Sequence, residues 1–226
     1  QVPKLRQVVN VGTTISKFVT YIQQTLISSA SFVAEAGVKT EGELKYQEVS
    51  KEVKKVAGLI KVSKEMLEDL NFVRNEINVD LLATLEDQIE NGILNGTGVG
   101  ANLEGLLTTA PTFAAGTFAA SVPQANIADV IRVAVANIQA SKFTPTHVVL
   151  NPVDVAKMQL TKTSVGEYTY PIFYVDNLTG EPKVAELTCV STTWMTAGNF
   201  LVGDMSKSNI RMREDMNISV GYVNDD

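Results

Sequence analysis

The sequence predicts a mixed α+β protein made of two bodies and a long β-hairpin arm. Three observations carry that prediction. Residues 18–64 spell two alternating, strand-like runs around a polar tip at 34–43; apolar residues from Val73 to Ile93 recur nearly every helical turn; and the chain beyond Tyr168 breaks into short alternating runs divided by turn residues. The arm dominates the reading. At strand rise its runs would reach roughly 55–65 Å, whereas a compact globule of this length is roughly 45 Å across. Such an arm must project, and a two-stranded ribbon in water is marginal at best. One that carries Val19, Tyr21, Ile22, Leu26, Ile27, Phe32, Val53, Val56, Leu59 and Ile60 needs another surface to cover it. A neighbouring copy of the same chain is the expected cover.

Composition bounds the alternatives. The 226 residues, 45% hydrophobic, are enough for a real core in one large domain or two small ones. One cysteine, Cys189, and one histidine, His147, exclude a disulfide framework and a zinc site built from Cys and His alone. The net charge of −6 argues against a surface that wraps nucleic acid. The longest apolar stretch, near residues 127–138, is interrupted by Asp129 and Arg132, and the first residues lack a signal-peptide layout, so no membrane span is expected. The chain starts at Gln1 without a methionine, which implies either a trimmed start or one made by a protease.

The elements follow in order. Residues 1–17, broken by Pro3 and Gly12, read as an arm or short strand leading in. The outward run of the hairpin carries apolar residues on both parities. The return run, 44–62, mixes them with charge (Lys51-Glu52-Val53-Lys54-Lys55-Val56), as a half-solvated edge would. Ser63 is a candidate N-cap for a helical turn over 64–70. Val73, Ile77, Leu81, Leu85, Ile89 and Ile93 define a helix over 72–94, stopped by Asn95-Gly96. A Gly, Ala and Thr rich connection over 96–123 separates two bodies. A second amphipathic helix is predicted over 124–140, then a strand over 147–150. Asn151-Pro152 then places a cap before a proline at the first position of a helix over 152–160. Short strands are predicted at 171–174, 185–190, 200–203, 210–213 and 217–222.

Motifs that could carry chemistry are few. Gly96-Thr97-Gly98-Val99-Gly100-Ala101 has the letters of a phosphate-binding loop, but it closes a helix where that loop must follow a strand and open one, so a flexible turn is expected. Cys189 and His147 sit in predicted strands with no third group to orient them. The carboxylates of 68–69, 86–87 and 225–226 read as helix and loop surface. Lys51, Lys54, Lys55, Lys61 and Lys64 are diluted by Glu48, Glu52 and Glu65, which favours a solvated edge over a nucleic-acid patch. Trp194 is expected in the core. No enzyme, cofactor or metal site follows from these residues.

Taken together, certain segments resemble the major capsid proteins of tailed bacteriophages, the Hong Kong-type capsid fold shared with encapsulins. They are Phe32-Val33-Ala34-Glu35 and Lys39-Thr40-Glu41 at the tip, Lys54-Lys55-Val56-Ala57, and Val62-Ser63-Lys64-Glu65-Met66-Leu67-Glu68-Asp69. Further along come Ile93-Leu94-Asn95-Gly96, then Gly98 through Leu107, then Val148-Val149-Leu150-Asn151-Pro152-Val153-Asp154, and Leu201-Val202-Gly203-Asp204. Their order and spacing, over nearly the whole chain, make the likeness specific.

The resemblance implies a start of the peripheral domain in residues 1–17, an extended loop over 18–62, and a peripheral domain with its spine helix and Gly-rich connection over 63–123. An axial domain over 124–205 and peripheral strands over 206–226 complete it, with the family's closing segment beyond Asp226. The implied function is structural. Copies would form pentamers and hexamers of an icosahedral shell around packaged DNA, bound without sequence specificity, in a virion assembled in the bacterial host cytoplasm. A scaffolding segment and a maturation protease are implied as partners. Inter-subunit contact is expected at Phe32, Glu35, Lys39, Glu41, Lys45, Lys54 and Lys55. Some family members weld the shell by an isopeptide bond from a loop lysine to a neighbour's asparagine, and Lys39 occupies the matching tip position. The rival readings are an encapsulin-like compartment holding a cargo enzyme and, more distantly, a nucleotide-binding enzyme based on the glycine loop.

Overall fold

A strand buried on both faces anchors the fold, and its sequence, His147-Val148-Val149-Leu150, says why: three consecutive apolar residues have no solvent side to offer. The structure is a computed structural model that describes residues 5–27, 32–35, 37–38, 44–62, 71–122, 125–162, 173–176, 180–219 and 221. Its described elements are α1 (Leu5–Val8), β1 (Asn10–Thr13), β2 (Phe18–Ile27), β3 (Leu44–Glu52), α2 (Asn71–Asn95), α3 (Leu106–Thr109), α4 (Ile127–Ala140), β4 (His147–Leu150), α5 (Pro152–Gln159), β5 (Phe173–Val175), β6 (Pro182–Val184), β7 (Leu187–Ser191), β8 (Phe200–Gly203) and β9 (Asn209–Met212), with 3-10 turns at Gly116–Ala120 and Met205–Lys207. None of these helices is long and apolar enough to cross a membrane.

The chain divides into two compact units, Gln1–Val11 with Lys54–Ile210 and Met216–Asp226, and Gly12–Val53 with Arg211–Asp215. The first unit is built on a five-stranded sheet of order β5-β6-β7-β4-β8. β4 lies parallel to β7 and antiparallel to β8. A parallel pair needs a crossover, and α5 lies within it. Side-chain alternation then sorts the core into two layers. Val149, Val190 and Leu201 pack with Leu5, Ile93, Leu94, Met195 and Met205 on one face. Val148, Leu150, Leu187 and Cys189 pack with Ile131 and Val135 of α4 on the other, joined by Val155 and Met158 of α5. Each fully buried aliphatic side chain contributes roughly 1.5–3 kcal/mol. The second unit contains the antiparallel β2–β3 ribbon.

Local chemistry fixes the helix ends. α4 starts at Ile127, three residues later than the periodicity suggests, because Asn126 and Asp129 close a capping box: the Asp129 amide donates to Asn126 Oδ1 at 3.0 Å, and the Asn126 amide donates to Asp129 Oδ2 at 2.9 Å. Asn151 caps α5 ahead of Pro152, as expected. α2 matches its predicted span to within one residue at each end.

Several expectations need correction. The return run of the arm pairs only as far as Glu52, so the ladder runs from Phe18↔Glu52 to Ile27↔Leu44 and residues 53–62 lie outside any strand. At strand rise the ladder among the described residues is about 30–35 Å long. Residues 217–219 of the predicted last strand are not in a strand either. β6 and α1 were not expected, and the helical turn proposed for 64–70 lies outside the described residues.

The glycine-rich loop closes on itself through backbone hydrogen bonds. The Gly96 amide donates to Gly92 O (3.1 Å), Gly98 to Leu103 O (2.7 Å) and Gly105 to Gly96 O (2.8 Å). Amides spent inside the loop cannot cradle a phosphate. Gly98 and Gly100 hold φ of 71° and 63°, and a Cβ on Gly96 would strike the Leu103 and Gly92 carbonyl oxygens, so glycine is needed there for backbone approach.

Candidate interaction surface on the arm

The ribbon's register sorts its side chains onto two unlike faces. Directly opposed residues share a face. Phe18, Thr20 and Ile22 therefore stand with Glu52, Ser50 and Glu48, while Val19, Tyr21 and Gln23 stand with Lys51, Val49 and Gln47. Tyr46, opposite Gln24, belongs to the first face, as does Leu44 two residues on. A register shift between Gln24 and Leu26 marks a bulge, which bends the ribbon and strengthens its twist.

The first face exposes large apolar side chains among Thr20, Gln24, Glu48, Ser50 and Glu52. Phe18, Ile22, Leu44 and Tyr46 are 51%, 72%, 59% and 62% exposed. At roughly 200 Å² for a side chain of this size, the four leave on the order of 500 Å² of apolar surface in water. That equals a monomer's largest ordinary patch, carried here on two strands. Thr20, Ile22, Tyr46 and Glu48, with Tyr21, line a shallow open depression there. The second face exposes less large apolar surface: Val19 and Val49 are half-buried, Tyr21 is 47% exposed, and Gln23, Gln47 and Lys51 are exposed.

Polar contacts hold the ribbon's shape at its base. Lys17 Nζ lies 3.1 Å from Glu52 Oε1 and 5.5 Å from the Phe18 ring centroid, the Val53 amide donates to Lys17 O at 2.9 Å, and Thr20 Oγ1 donates to Ser50 Oγ at 3.4 Å. Toward the tip the Gly37 amide donates to Ala34 O at 2.8 Å. Of the contact residues expected from sequence, Phe32, Glu35, Lys45 and Lys55 are exposed, Lys54 is half-buried, and Lys39 and Glu41 lie outside the described residues. Phe18 and Ile22 share a parity that the sequence shows, but that Leu44 and Tyr46 stand beside them follows only from the β2–β3 register.

The chemical candidates separate in space. His147 pairs with Thr188 and Val148 with Cys189 in the β4–β7 ladder, so the His147 and Cys189 side chains point to opposite faces of the sheet. Burial pushes the Cys189 thiol up to about 12, so it is not a thiolate at neutral pH. Among the described residues no three His, Cys, Asp or Glu side chains are placed to hold a metal ion.

Comparison with known proteins gives this arrangement its context. Residues 1–226 match the family described as the phage capsid family. The chain belongs to the phage capsid family. It is 29% identical over 221 residues to the major capsid protein of Enterobacteria phage HK97, an alignment that covers 96% of this chain and 55% of that protein, so the chain spans about half the length of this relative. Its fold matches a solved chain from Mycobacterium phage Bobi (TM-score 0.71, 18% identity, 99% of this chain and 79% of the other). A chain from Mycobacterium phage Adephagia matches similarly (0.71, 13%, 100% and 77%). So does one from the capsid of a native GTA particle computed with C5 symmetry (0.69, 17%, 94% and 77%). These identities show the fold, and the fold is that of phage capsid proteins.

Proposed function

We propose that this chain is a structural subunit of an icosahedral phage head, tiling with copies of itself into the shell that encloses packaged DNA. The observation that carries the reading is the apolar face of the β2–β3 ribbon, on a chain whose family forms capsids. Its apolar area, on the order of 500 Å², is about what one side of a standard interface of roughly 800 Å² needs at roughly 60% apolar content. Residues 18–62 act as the extended loop laid on a sister subunit, with Phe32, Glu35, Lys39, Glu41, Lys45, Lys54 and Lys55 at the contact. Residues 1–17, 63–123 and 206–226 serve the peripheral domain and 124–205 the axial domain, around pentamers and hexamers. A scaffolding segment and a maturation protease act before the virion is complete, assembly takes place in the host cytoplasm, and the subunit itself catalyses nothing.

Deleting residues 31–45 tests the reading. The shortened chain should stay soluble and fail to form particles under electron microscopy; normal shells from it would refute the role of the arm. Lys39 is proposed as the weld lysine, and denatured particles that yield only monomer-mass chains would reject that part.

A further inference from the structure

The only histidine of the chain stands at one end of a short hydrogen-bonded line that the capsid reading does not use. His147 Nδ1 lies 2.8 Å from the Thr146 hydroxyl oxygen. That same oxygen accepts the Met205 amide at 3.1 Å and lies 3.5 Å from both Asp204 Oδ1 and the Gly203 carbonyl oxygen. A threonine hydroxyl has one proton to give. With the imidazole neutral, the nearest acceptor for it is Nδ1, which places the ring proton on Nε2. A protonated imidazole has no acceptor left, so its Nδ1–H must donate to Thr146, and the hydroxyl proton must turn to Asp204 or Gly203, both already in reach.

We infer that His147, Thr146 and Asp204 form a proton-sensitive relay in which the hydrogen bond between His147 and Thr146 reverses direction when the imidazole takes up a proton. The far end of the relay is structural. Asp204 caps the Met205–Lys207 turn, accepting the Ser206 amide at 3.1 Å and the Ser206 hydroxyl at 2.6 Å, and Met205 is buried in the core layer beneath β4. Thus one proton at the start of β4 is felt at the turn that follows β8.

The charged groups around the ring come from both flanking sides. Glu181, which accepts from Thr188 Oγ1 at 3.4 Å across β7, and Asp204 both favour the imidazolium, while half-burial opposes it more strongly and holds His147 below its ordinary value. Lys183 stands on the Glu181 side, facing Asp176, and Lys207 on the Asp204 side. The unfolded chain therefore binds the proton first as pH falls below 6.5. Stability is full above that value, declines through the interval down to the folded-state midpoint, and levels off below it.

Nuclear magnetic resonance of the labelled full-length chain, in solution or as sedimented particles, follows the single imidazole from pH 8 to 4.5. The expected results are an Nε2–H tautomer at high pH, a midpoint below 6.5, and Met205 and Ser206 amide signals that move with that same midpoint. Asp204→Asn, which keeps a capping oxygen but loses the charge, should lower the midpoint further. Thr146→Val should disconnect Ser206 from the His147 titration, and Thr146→Ser should restore the connection. An Nδ1–H tautomer in the neutral ring, or a Ser206 amide that stays flat while His147 titrates, overturns the relay. Because none of these readouts depends on particle formation, failure here leaves the shell reading untouched.

Discussion

Replacing Ile22 with serine should separate the cost to the fold from the cost to the assembly. Ile22 stands opposite Glu48 on the apolar face and is 72% exposed, so the lone chain hardly uses it, and the folding stability should change by no more than about 0.5 kcal/mol. Covered by a sister subunit, its exposed share would contribute roughly 1–2 kcal/mol, and burying an imperfectly paired hydroxyl in its place adds about 1 kcal/mol. A loss of about 2 kcal/mol per contact raises the concentration needed for assembly about 30-fold. Sedimentation velocity over a concentration series reads that shift, and thermal melting of the dilute chain reads the fold. Gln23→Ser, on the opposite face, is the control and should do neither. An unchanged assembly threshold for Ile22→Ser, or an equal change in the control, would refute the assignment of the face.

Three further outcomes concern the fold. Gly96→Ala should cost about 3 kcal/mol or more, since its Cβ would lie 2.5 Å from the Gly92 carbonyl oxygen, whereas Gly100→Ala, in open space at φ 63°, should cost only about 1 kcal/mol; denaturant titration compares them. Glu186→Gly should raise the melting temperature by roughly 1–4 °C, because Ala185 and Glu186 form the β6–β7 turn at φ of 50° and 72°, a conformation that favours glycine. Asp154, buried at the start of α5, accepts from the Gly198 amide and from Lys157 Nζ at 3.1 Å, and chiefly the Gly198 amide holds its carboxyl below the ordinary value of 3.8. Its contribution is therefore fully present above that value and lost as pH falls through the folded-state midpoint. Asp154→Ala should cost about 2 kcal/mol near neutral pH, and the deficit relative to the native chain should shrink in acid; equal deficits at pH 7 and pH 2 would count against the assignment.

What the sequence revealed depended on whether the signal was local. The strand at His147–Leu150 and the cap at Asn151-Pro152 were legible because an apolar run and a helix start are written in adjacent residues. The long helix was legible because Ile77 through Ile93 repeat over many turns. β6 was not, since it opens on Pro182 and its turn uses Ala185-Glu186 in place of the Asn-Gly that marks such hairpins. The end of β3 was hidden for a different reason: charge and apolar residues keep alternating past Glu52, and periodicity does not reveal where a partner strand stops. The arm itself was readable as an exposed hairpin. Its interacting face was legible only in part: Phe18 and Ile22 share a parity, but which residues of the return strand stand beside them depends on the register.

Hydroxyl-radical footprinting of the dilute chain against purified particles tests the covering of the arm most directly. The account predicts that oxidation of Phe18, Ile22, Leu44 and Tyr46 falls several-fold in particles while exposed Leu160 of the first unit serves as an internal reference. Equal labelling of those four side chains in both forms would contradict it.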